Sequence, residues 1–88
     1  MEIVRNASAG TLESSDVYVE LAPGSGKLEI ELESVVRAQF GAAIEQAVRE
    51  VLQQQGVERA RVKVMDRGAL ECVIRARVET AVLRGGKE

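Results

Sequence analysis

Two short runs in which apolar and polar residues alternate predict the first β-strands of the fold. In residues 17–21 every second position is Val or Leu, and in residues 28–32 every second position is Leu or Ile. Side chains along a strand point alternately to opposite faces, so each run would bury one face and leave the other in water. The intervening residues 22–26 contain proline and glycine, which favour a tight turn. The pattern therefore predicts a β-hairpin.

The period then changes from two residues to three or four, which predicts one long helix over residues 35–55. Ser34 is the expected N-cap, because its hydroxyl can accept a hydrogen bond from a free N–H group of the first turn. Gly56 is the expected residue just beyond the C-terminal end, and Gly41 inside the helix would be explained by a close approach to the sheet. The apolar stripe that would face the sheet consists of Val36, Phe40, Ile44, Ala47, Val48, Val51 and Leu52.

The last third of the chain begins with a further alternating run, residues 57–65, which is followed by a compact turn at residues 66–68. Residues 70–78 fit two interpretations. As a strand they place every charged side chain outside and Cys72 in the core, whereas as a helix they place Arg77 within the apolar stripe. The strand is preferred for that reason. A short helical turn at residues 81–83 would follow, and Gly85-Gly86 would end the ordered part.

The order of these elements is β-hairpin, long helix, β-hairpin, with a further short edge strand at residues 2–6. This order predicts a single α+β domain over residues 1–88. It would have two layers, an antiparallel β-sheet with one main helix packed on one face. Cross-strand ion pairing would occupy the charges of the outer sheet face, which are Glu29, Glu31, Glu33, Arg61, Lys63, Arg75 and Arg77.

Composition and charge narrow the classes of function. Twelve basic and fourteen acidic side chains give a formal net charge of -2, which argues against a nucleic-acid-binding surface. No apolar run approaches the ~20 residues that span a bilayer, and the first residues lack the form of a signal peptide. The single cysteine excludes an internal disulfide and a multi-cysteine metal site. We therefore expect a cytoplasmic protein with no membrane or nucleic-acid partner and no bound metal.

The chain contains no histidine, which bears directly on its serine-containing loop. Residues 7–16 are small and polar, and they place the hydroxyls of Ser14 and Ser15 between the carboxylates of Glu13 and Asp16. A nucleophilic serine needs a base that takes its proton, so no catalytic residue is predicted here. The residue types leave two interpretations open. One is a serine that another protein modifies; the other, which composition favours, is a loop serine that closes a turn with Asp16.

Four separated stretches, in order along nearly the whole chain, carry a resemblance to a known family. The first is the serine loop, Ala9-Gly10-Thr11-Leu12-Glu13-Ser14-Ser15-Asp16-Val17. The second runs from Ser34-Val35-Val36 through Gln39-Phe40-Gly41. The others are Asp66-Arg67-Gly68-Ala69-Leu70-Glu71-Cys72 and Arg75-Ala76-Arg77-Val78-Glu79. Together they resemble the acyl carrier subunit, or gamma chain, of citrate lyase.

The resemblance implies a non-catalytic carrier in which Ser14 bears 2′-(5″-phosphoribosyl)-3′-dephospho-CoA through a phosphodiester. Ser15 is the weaker candidate, because it falls where relatives can have glycine. The thiol of that group would carry acetyl and then citryl as a thioester. The citrate lyase alpha subunit would exchange acetate for citrate, and the beta subunit would release oxaloacetate. A separate transferase would attach the group, and Glu13 and Asp16 would either help it recognise the loop or keep the loop solvated.

Three other functions are weighed against this one. The carrier subunit of malonate decarboxylase uses the same kind of prosthetic group. The Thr11-Leu12-Glu13-Ser14 context and the turn at residues 66–72 favour citrate lyase. A small protein- or RNA-interaction module would normally carry exposed aromatic side chains, for which Tyr18 alone is thin support. A free-standing enzyme would require turnover by the isolated chain, and we expect none because the loop lacks a base.

Overall fold

The computed structural model describes residues 1–87, which form a four-stranded main sheet, two helices and a small second sheet. The prediction of an α+β fold is confirmed, and so are the strands near residues 17, 28 and 60 and the long central helix. In chain order the elements are β1 (Glu2–Ile3), β2 (Ala7–Gly10), β3 (Val17–Pro23), β4 (Leu28–Ser34), α1 (Arg37–Gln54), β5 (Ala60–Asp66), α2 (Glu71–Gly85) and β6 (Gly86–Lys87).

The main sheet has the strand order β2-β3-β5-β4. Strand β5 is antiparallel to β3 and parallel to β4, so it separates the two strands that the sequence pattern pairs as a hairpin. The predictions of a direct β3–β4 hairpin and of a wholly antiparallel sheet are therefore wrong. Side chains alternate in the same way in both kinds of pairing, and the 18-residue helix α1 supplies the crossover that a parallel pair requires.

The connection between β3 and β4 passes over the start of β5, and Gly24 makes this passage possible. A Cβ atom at Gly24 would lie 2.9 Å from the backbone nitrogen of Ala60, closer than real side chains approach. The amide of Ala60 donates to the carbonyl of Lys27 at 3.4 Å. Because β3 and β4 lie two strand spacings apart, about 10 Å, residues 24–27 bridge a strand instead of closing a hairpin.

Both helices lie on one face of the main sheet, and the core fills the space between the two layers. Helix α2 packs across β2 and β3, whereas α1 packs beside β4 and along α2. The core is aliphatic: the largest fully buried side chains include Leu52, Ile74, Val19 and Val64. The apolar strand faces and the apolar sides of the helices thus cover each other, which removes both from water.

The uncovered face of the main sheet carries the cross-strand charges predicted for β4 and β5. Glu29 is in register with Arg61, and the nearest carboxylate and guanidinium atoms are 3.9 Å apart. The two side chains are 59% and 70% exposed, so this pair adds little to stability. Arg75 and Arg77, predicted to share the face, lie on α2 instead, and that part of the prediction is wrong.

Helix α2 replaces the strand predicted for residues 70–78. Cys72, expected in the core, is exposed on this helix. The strand was preferred because the helix would place Arg77 in an apolar stripe, but Arg77 has a partner in Asp16, 61 positions earlier in the chain. Local periodicity cannot reveal so distant a partner. The buried positions of α2 follow helical spacing and are Ile74, Val78, Ala81, Val82 and Gly85.

Helix α1 begins at Arg37, two residues later than predicted, and Ser34 is not its N-cap. The residue that precedes the helix is Val36, which makes no side-chain capping bond. Ser34 ends β4, and its hydroxyl accepts from the Val36 N–H at 3.1 Å and donates to Asp66 at 2.7 Å. At the other end the predicted glycine is confirmed, since Gly56 has a φ of 70° and closes the helix.

Two residues near the start of α1, Phe40 of the predicted apolar stripe and Gly41 next to it, differ from the predictions. Phe40 is 54% exposed, although its spacing matches that of the buried positions. A Cβ atom at Gly41 would meet Arg37 of the same helix at 3.1 Å and Leu32 of β4 only at 3.9 Å. The second distance is ordinary van der Waals contact, so the predicted close approach of the helix to the sheet is wrong.

The two ends of the chain are joined by the small sheet formed by β1 and β6. Ile3 of β1 is in register with Gly86 of β6, and the amide of Val4 donates to the carbonyl of Gly85 at 2.9 Å. The predicted edge strand near the N-terminus is thus present, but the predicted end of order at Gly85-Gly86 is wrong. Strand β6 consists of Gly86 and Lys87 and contains no apolar side chain that would indicate a strand.

The helical assignment of α2 can be tested with two neighbouring substitutions. We expect Cys72→Ser to change the free energy of unfolding by less than about 0.5 kcal/mol, because its side chain is exposed. Ile74→Ala should lower it by about 2–5 kcal/mol, because Ile74 is 2% exposed. Urea-induced unfolding followed by circular dichroism measures both. If Cys72→Ser lowered the free energy of unfolding as much as Ile74→Ala does, the predicted strand would be favoured over the helix.

Candidate functional site

The candidate serine lies in the loop that joins β2 to β3, residues 11–16, which we call the serine loop. Ser14 and Glu13 are exposed, whereas the side chain of Asp16 is only 15% exposed. The loop is shorter than the predicted residues 7–16, because Ala7–Gly10 pair with β3 as strand β2. The three predicted site residues therefore share one loop, but Asp16 packs inward while Ser14 and Glu13 meet the solvent.

Gly10 sets the direction in which the chain leaves β2. Its φ of 91° lies in the left-handed region, and a Cβ atom at this position would overlap the carbonyl oxygen of Val17. Any other residue would strain the backbone and push the two strands apart. Glycine thus allows the chain to turn from a paired strand directly into the serine loop.

Asp16 holds the serine loop closed through hydrogen bonds from three other residues. Its Oδ2 accepts from the Thr11 hydroxyl at 2.7 Å, and its Oδ1 accepts from the Val17 N–H at 2.7 Å. Arg77 of α2 donates from Nε to Oδ1 at 3.2 Å and from a terminal nitrogen to Oδ2 at 3.1 Å. The Thr11 hydroxyl, the Val17 amide and the Arg77 guanidinium lower the pKa of Asp16 from 3.8 to about 2.

Ser15 and Arg67 join the serine loop to the turn between β5 and α2. The Ser15 N–H donates to the carbonyl of Arg67 at 2.8 Å, and the Arg67 N–H donates to the carbonyl of Asp16 at 2.9 Å. Ser15 has a φ of 65°, a left-handed conformation that favours glycine. Ser15 therefore serves the loop through its backbone, and a glycine would suit its conformation better than a serine.

The turn that receives these bonds is itself fixed by Asp66, which is fully buried. Its Oδ1 accepts from the Ala69 N–H at 2.9 Å, and its Oδ2 accepts from the Ser34 hydroxyl at 2.7 Å. Both carboxylate oxygens thus have partners, as a buried polar group requires. Because Asp66 is in register with Val17 and with Ser34, the serine loop, the end of β4 and the start of α2 meet at one end of the sheet.

The Ser14 hydroxyl is accessible to another molecule but is not activated by its surroundings. Within residues 1–87 no side-chain hydrogen bond reaches its oxygen, and the chain has no histidine. Asp16 is already committed to Thr11, Val17 and Arg77, and its low pKa makes it a poor proton acceptor. The loop can present a hydroxyl to a partner protein, but it does not supply a base for nucleophilic attack.

Sequence analysis did not identify the residues that position the serine loop, namely Thr11, Arg67 and Arg77. Arg67 holds the loop through its backbone carbonyl and N–H, so the type of its side chain does not indicate this role. Arg77 could have been noticed, because a helix over residues 70–78 places its charge within an apolar stripe. A charged residue in such a stripe indicates either a wrong period or a partner from elsewhere in the chain.

An apolar groove lies beside the turn that the serine loop contacts, between the first two turns of α1 and the first turn of α2. It has a volume of about 310 Å³. Phe40 and Leu70 border it and are 54% and 72% exposed. Its other apolar side chains include Val36, Ile44, Ala69 and Ile74.

Two other kinds of function find no support in the part of the chain that the structure describes. No helix within residues 1–87 combines the length and the apolar character needed to cross a bilayer. The same residues contain no cluster of three or more His, Cys, Asp or Glu side chains that would hold a metal ion.

Comparisons with known proteins point to a carrier function. The model of the ACP family, described as malonate decarboxylase delta subunit (MdcD), matches residues 4–85. The citrate lyase acyl carrier protein 2 of Salmonella typhimurium is 57% identical over 89 residues, covering 100% of this chain and 92% of the relative. The citrate lyase acyl carrier protein of Klebsiella pneumoniae is 55% identical over 89 residues, with the same coverage of 100% and 92%.

Among solved structures, the fold is similar to a chain in the crystal structure of a Pseudomonas malonate decarboxylase hetero-tetramer in complex with malonate. The TM-score is 0.81, and the match covers 98% of this chain and 93% of that chain. At 24% sequence identity, this similarity establishes the fold and nothing more specific.

The bonds around Asp16 predict an unusually acidic carboxyl group and a matching dependence of stability on pH. In the folded protein we expect a pKa of about 2 for Asp16, measurable by NMR titration of its carboxyl carbon. Arg77→Met should raise this pKa, whereas Arg75→Met should not, because Arg75 pairs with Glu50 and Glu71 instead. Since the folded pKa is below the unfolded one, Asp16 stabilises the fold above about pH 4 and ceases to do so as the pH falls towards 2.

This pH dependence should disappear in Asp16→Asn. Urea midpoints of the wild type and of the variant should therefore converge as the pH is lowered from about 4 to about 2. A folded-state pKa of 3.8 for Asp16, or midpoints that stay equally far apart over this range, would contradict the bonding described for the loop.

Proposed function

The chain belongs to the acyl carrier family that comprises the malonate decarboxylase delta subunit and the citrate lyase acyl carrier proteins, and we propose that it is the carrier of a citrate lyase, modified at Ser14. The observation that carries this proposal is the full-length identity of 57% to a citrate lyase acyl carrier protein. As an acyl carrier subunit, the chain would contribute an attachment point and docking surfaces but no catalytic group of its own.

The serine loop fits a covalent prosthetic group. The Ser14 hydroxyl is exposed, and the loop around it is fixed by the bonds of Asp16 with Thr11 and Arg77 and by the bond of the Ser15 N–H with Arg67. When attached to Ser14 through a phosphodiester, 2′-(5″-phosphoribosyl)-3′-dephospho-CoA would supply a thiol on a long arm for acetyl and citryl groups. The chain itself would hold the attachment oxygen in a defined place and leave it open to the transferase that makes the bond.

The two carboxylates beside the serines would then have different roles. Asp16 is a positioning residue, because its oxygens are taken up by Thr11, Val17 and Arg77 inside the loop. Glu13 is exposed and stays the candidate for recognition by the transferase. Ser15 stays the weaker candidate in this proposal, because its left-handed backbone conformation suits glycine and its N–H holds the loop to Arg67.

The partners implied by this proposal are the citrate lyase alpha and beta subunits and the transferase, all in the cytoplasm. In such a complex the alpha subunit would exchange acetate for citrate on the carrier, and the beta subunit would release oxaloacetate. The isolated chain should turn over neither citrate nor malonate, because the serine loop has no base next to Ser14.

A malonate decarboxylase carrier is the second candidate, because the matching family model bears that description and the similar crystal structure is such an enzyme. The sequence identities favour the citrate lyase carrier. This chain is 57% identical to a citrate lyase carrier but only 24% identical to the carrier-like chain of the decarboxylase structure. Reconstitution of both complexes decides between them, since the modified chain should restore citrate cleavage and not malonate decarboxylation.

The attachment site can be tested with two adjacent substitutions. Protein produced in a citrate-fermenting host should carry an adduct with the mass of the phosphoribosyl-dephospho-CoA group, which peptide mapping should place on Ser14. Ser14→Ala should abolish the adduct and reduce citrate cleavage by the complex to background. Ser15→Gly should keep both, because glycine readily adopts the φ of 65° found at this position.

Thermal unfolding of the unmodified variants serves as the control. Both should melt close to the wild type, since Ser14 and Ser15 are exposed, so a lost adduct would not reflect a lost fold. An adduct found on Ser15, or one that persists in Ser14→Ala, would refute the site assignment.

A further inference from the structure

The apolar groove exposes large hydrophobic side chains at a place where the fold does not need them. Phe40 is the single phenylalanine of the chain, and it borders the groove together with Leu70. Both are more than half exposed, at 54% and 72%. Exposed apolar side chains around a concavity of this kind mark binding sites.

The size and polarity of the groove restrict what it can hold. Its volume of about 310 Å³ lies at the lower end of the range for small-molecule sites, about 300–1,000 Å³. A stable protein partner would need about 800 Å² of this chain's surface, far more than such a groove offers. The one charged residue in its described lining is Glu71, so an uncharged apolar segment suits it better than an anion does.

The groove begins next to the serine loop. The Ser15 N–H is bonded to the carbonyl of Arg67, and the next residue, Gly68, lines the groove. Through this bond the Cα atoms of Ser14 and Gly68 are less than about 10 Å apart. A Cβ atom at Gly68 would have no neighbour within 4 Å, so the space beside this residue is open.

On the premise that Ser14 bears the prosthetic group, we propose that the apolar groove binds the uncharged pantetheine segment of the arm between visits to the partner subunits. The branched, dimethyl-bearing part of that segment is the portion that an apolar groove selects, while the phosphates stay outside, near the serine loop. The groove would thus keep the arm on one face of the carrier.

The first test compares the modified and unmodified chain by NMR. Both are prepared as ¹⁵N-labelled Cys72→Ser protein, which leaves the arm as the sole source of a free thiol. We expect the adduct to shift amide resonances of the serine loop and also those of Phe40, Gly68 and Leu70. Binding to the groove should further give nuclear Overhauser contacts between the dimethyl group and the Phe40 ring.

The second test measures how fast the thiol of the modified chain reacts with a maleimide. An arm that occupies the groove more than half of the time is shielded for that time, so Phe40→Ser and Leu70→Ser should each raise the rate at least about twofold. Leu83→Ser is the matched control, because Leu83 is an exposed leucine, at 60%, that does not line the groove. It should leave the rate unchanged.

The outcomes separate this inference from the proposed function. An adduct on Ser14 whose shifts stay within the serine loop, with equal maleimide rates for all variants, would overturn the groove and leave the carrier function standing. The absence of any adduct on Ser14 would remove the premise of both. If Phe40→Ser left the thiol rate unchanged but weakened binding to the alpha or beta subunit, the groove would be a protein docking surface and the inference would be wrong.

Discussion

The contact between Arg77 and Asp16 is the interaction on which the end of the molecule that holds the candidate serine depends. It joins helix α2 to the serine loop through two hydrogen bonds, between residues 61 positions apart. Because the guanidinium is 41% exposed, solvent weakens the attraction between the charges, and the directed bonds matter more than the charge pair itself. Arg77 lies near the middle of α2, so its bonds also hold this helix against the loop. The same contact therefore sets the shape of the loop and the placement of the helix that borders the groove.

The sequence predicts those parts of the fold that depend on residues close together in the chain. Strands β3, β4 and β5 and helix α1 have a clear period, because each buries one side against the core, and all four were predicted. The pairing of the strands was not predicted, because alternation of apolar and polar residues does not show which strands lie side by side. The long helix between β4 and β5 leaves a parallel arrangement open, but only the pairing of β5 with both β3 and β4 reveals that the β3–β4 connection crosses another strand. Helix α2 was not predicted, because Arg77 pairs with Asp16, a residue too far away in the chain for local periodicity to reveal.

The candidate site was likewise predicted only in part. The family resemblance singled out Ser14, and residue types alone favoured an ordinary loop serine. The structural reason for preferring Ser14 over Ser15 is a backbone property, the φ of 65° at Ser15, which no side-chain pattern encodes. Phe40 has the spacing of a core residue and is nevertheless exposed, because only the later part of α1 is covered, with buried positions that begin at Ile44. A periodic stripe predicts which side of a helix is apolar, but not how far along the helix the neighbouring layer extends.

Under the proposed function, a fixed loop and a long arm would divide the task of a carrier between them. A transferase that must recognise one hydroxyl gains from a loop whose backbone is already ordered, because the entropy of ordering it is not lost on binding. The bonds from Asp16, Ser15 and Arg67 provide that order without covering Ser14. Reach between partner active sites would then come from the arm, so the protein itself need not bend. An arm free in water would sample many unproductive positions, and the proposed binding to the apolar groove of about 310 Å³ would reduce that number while holding the arm weakly enough to release it.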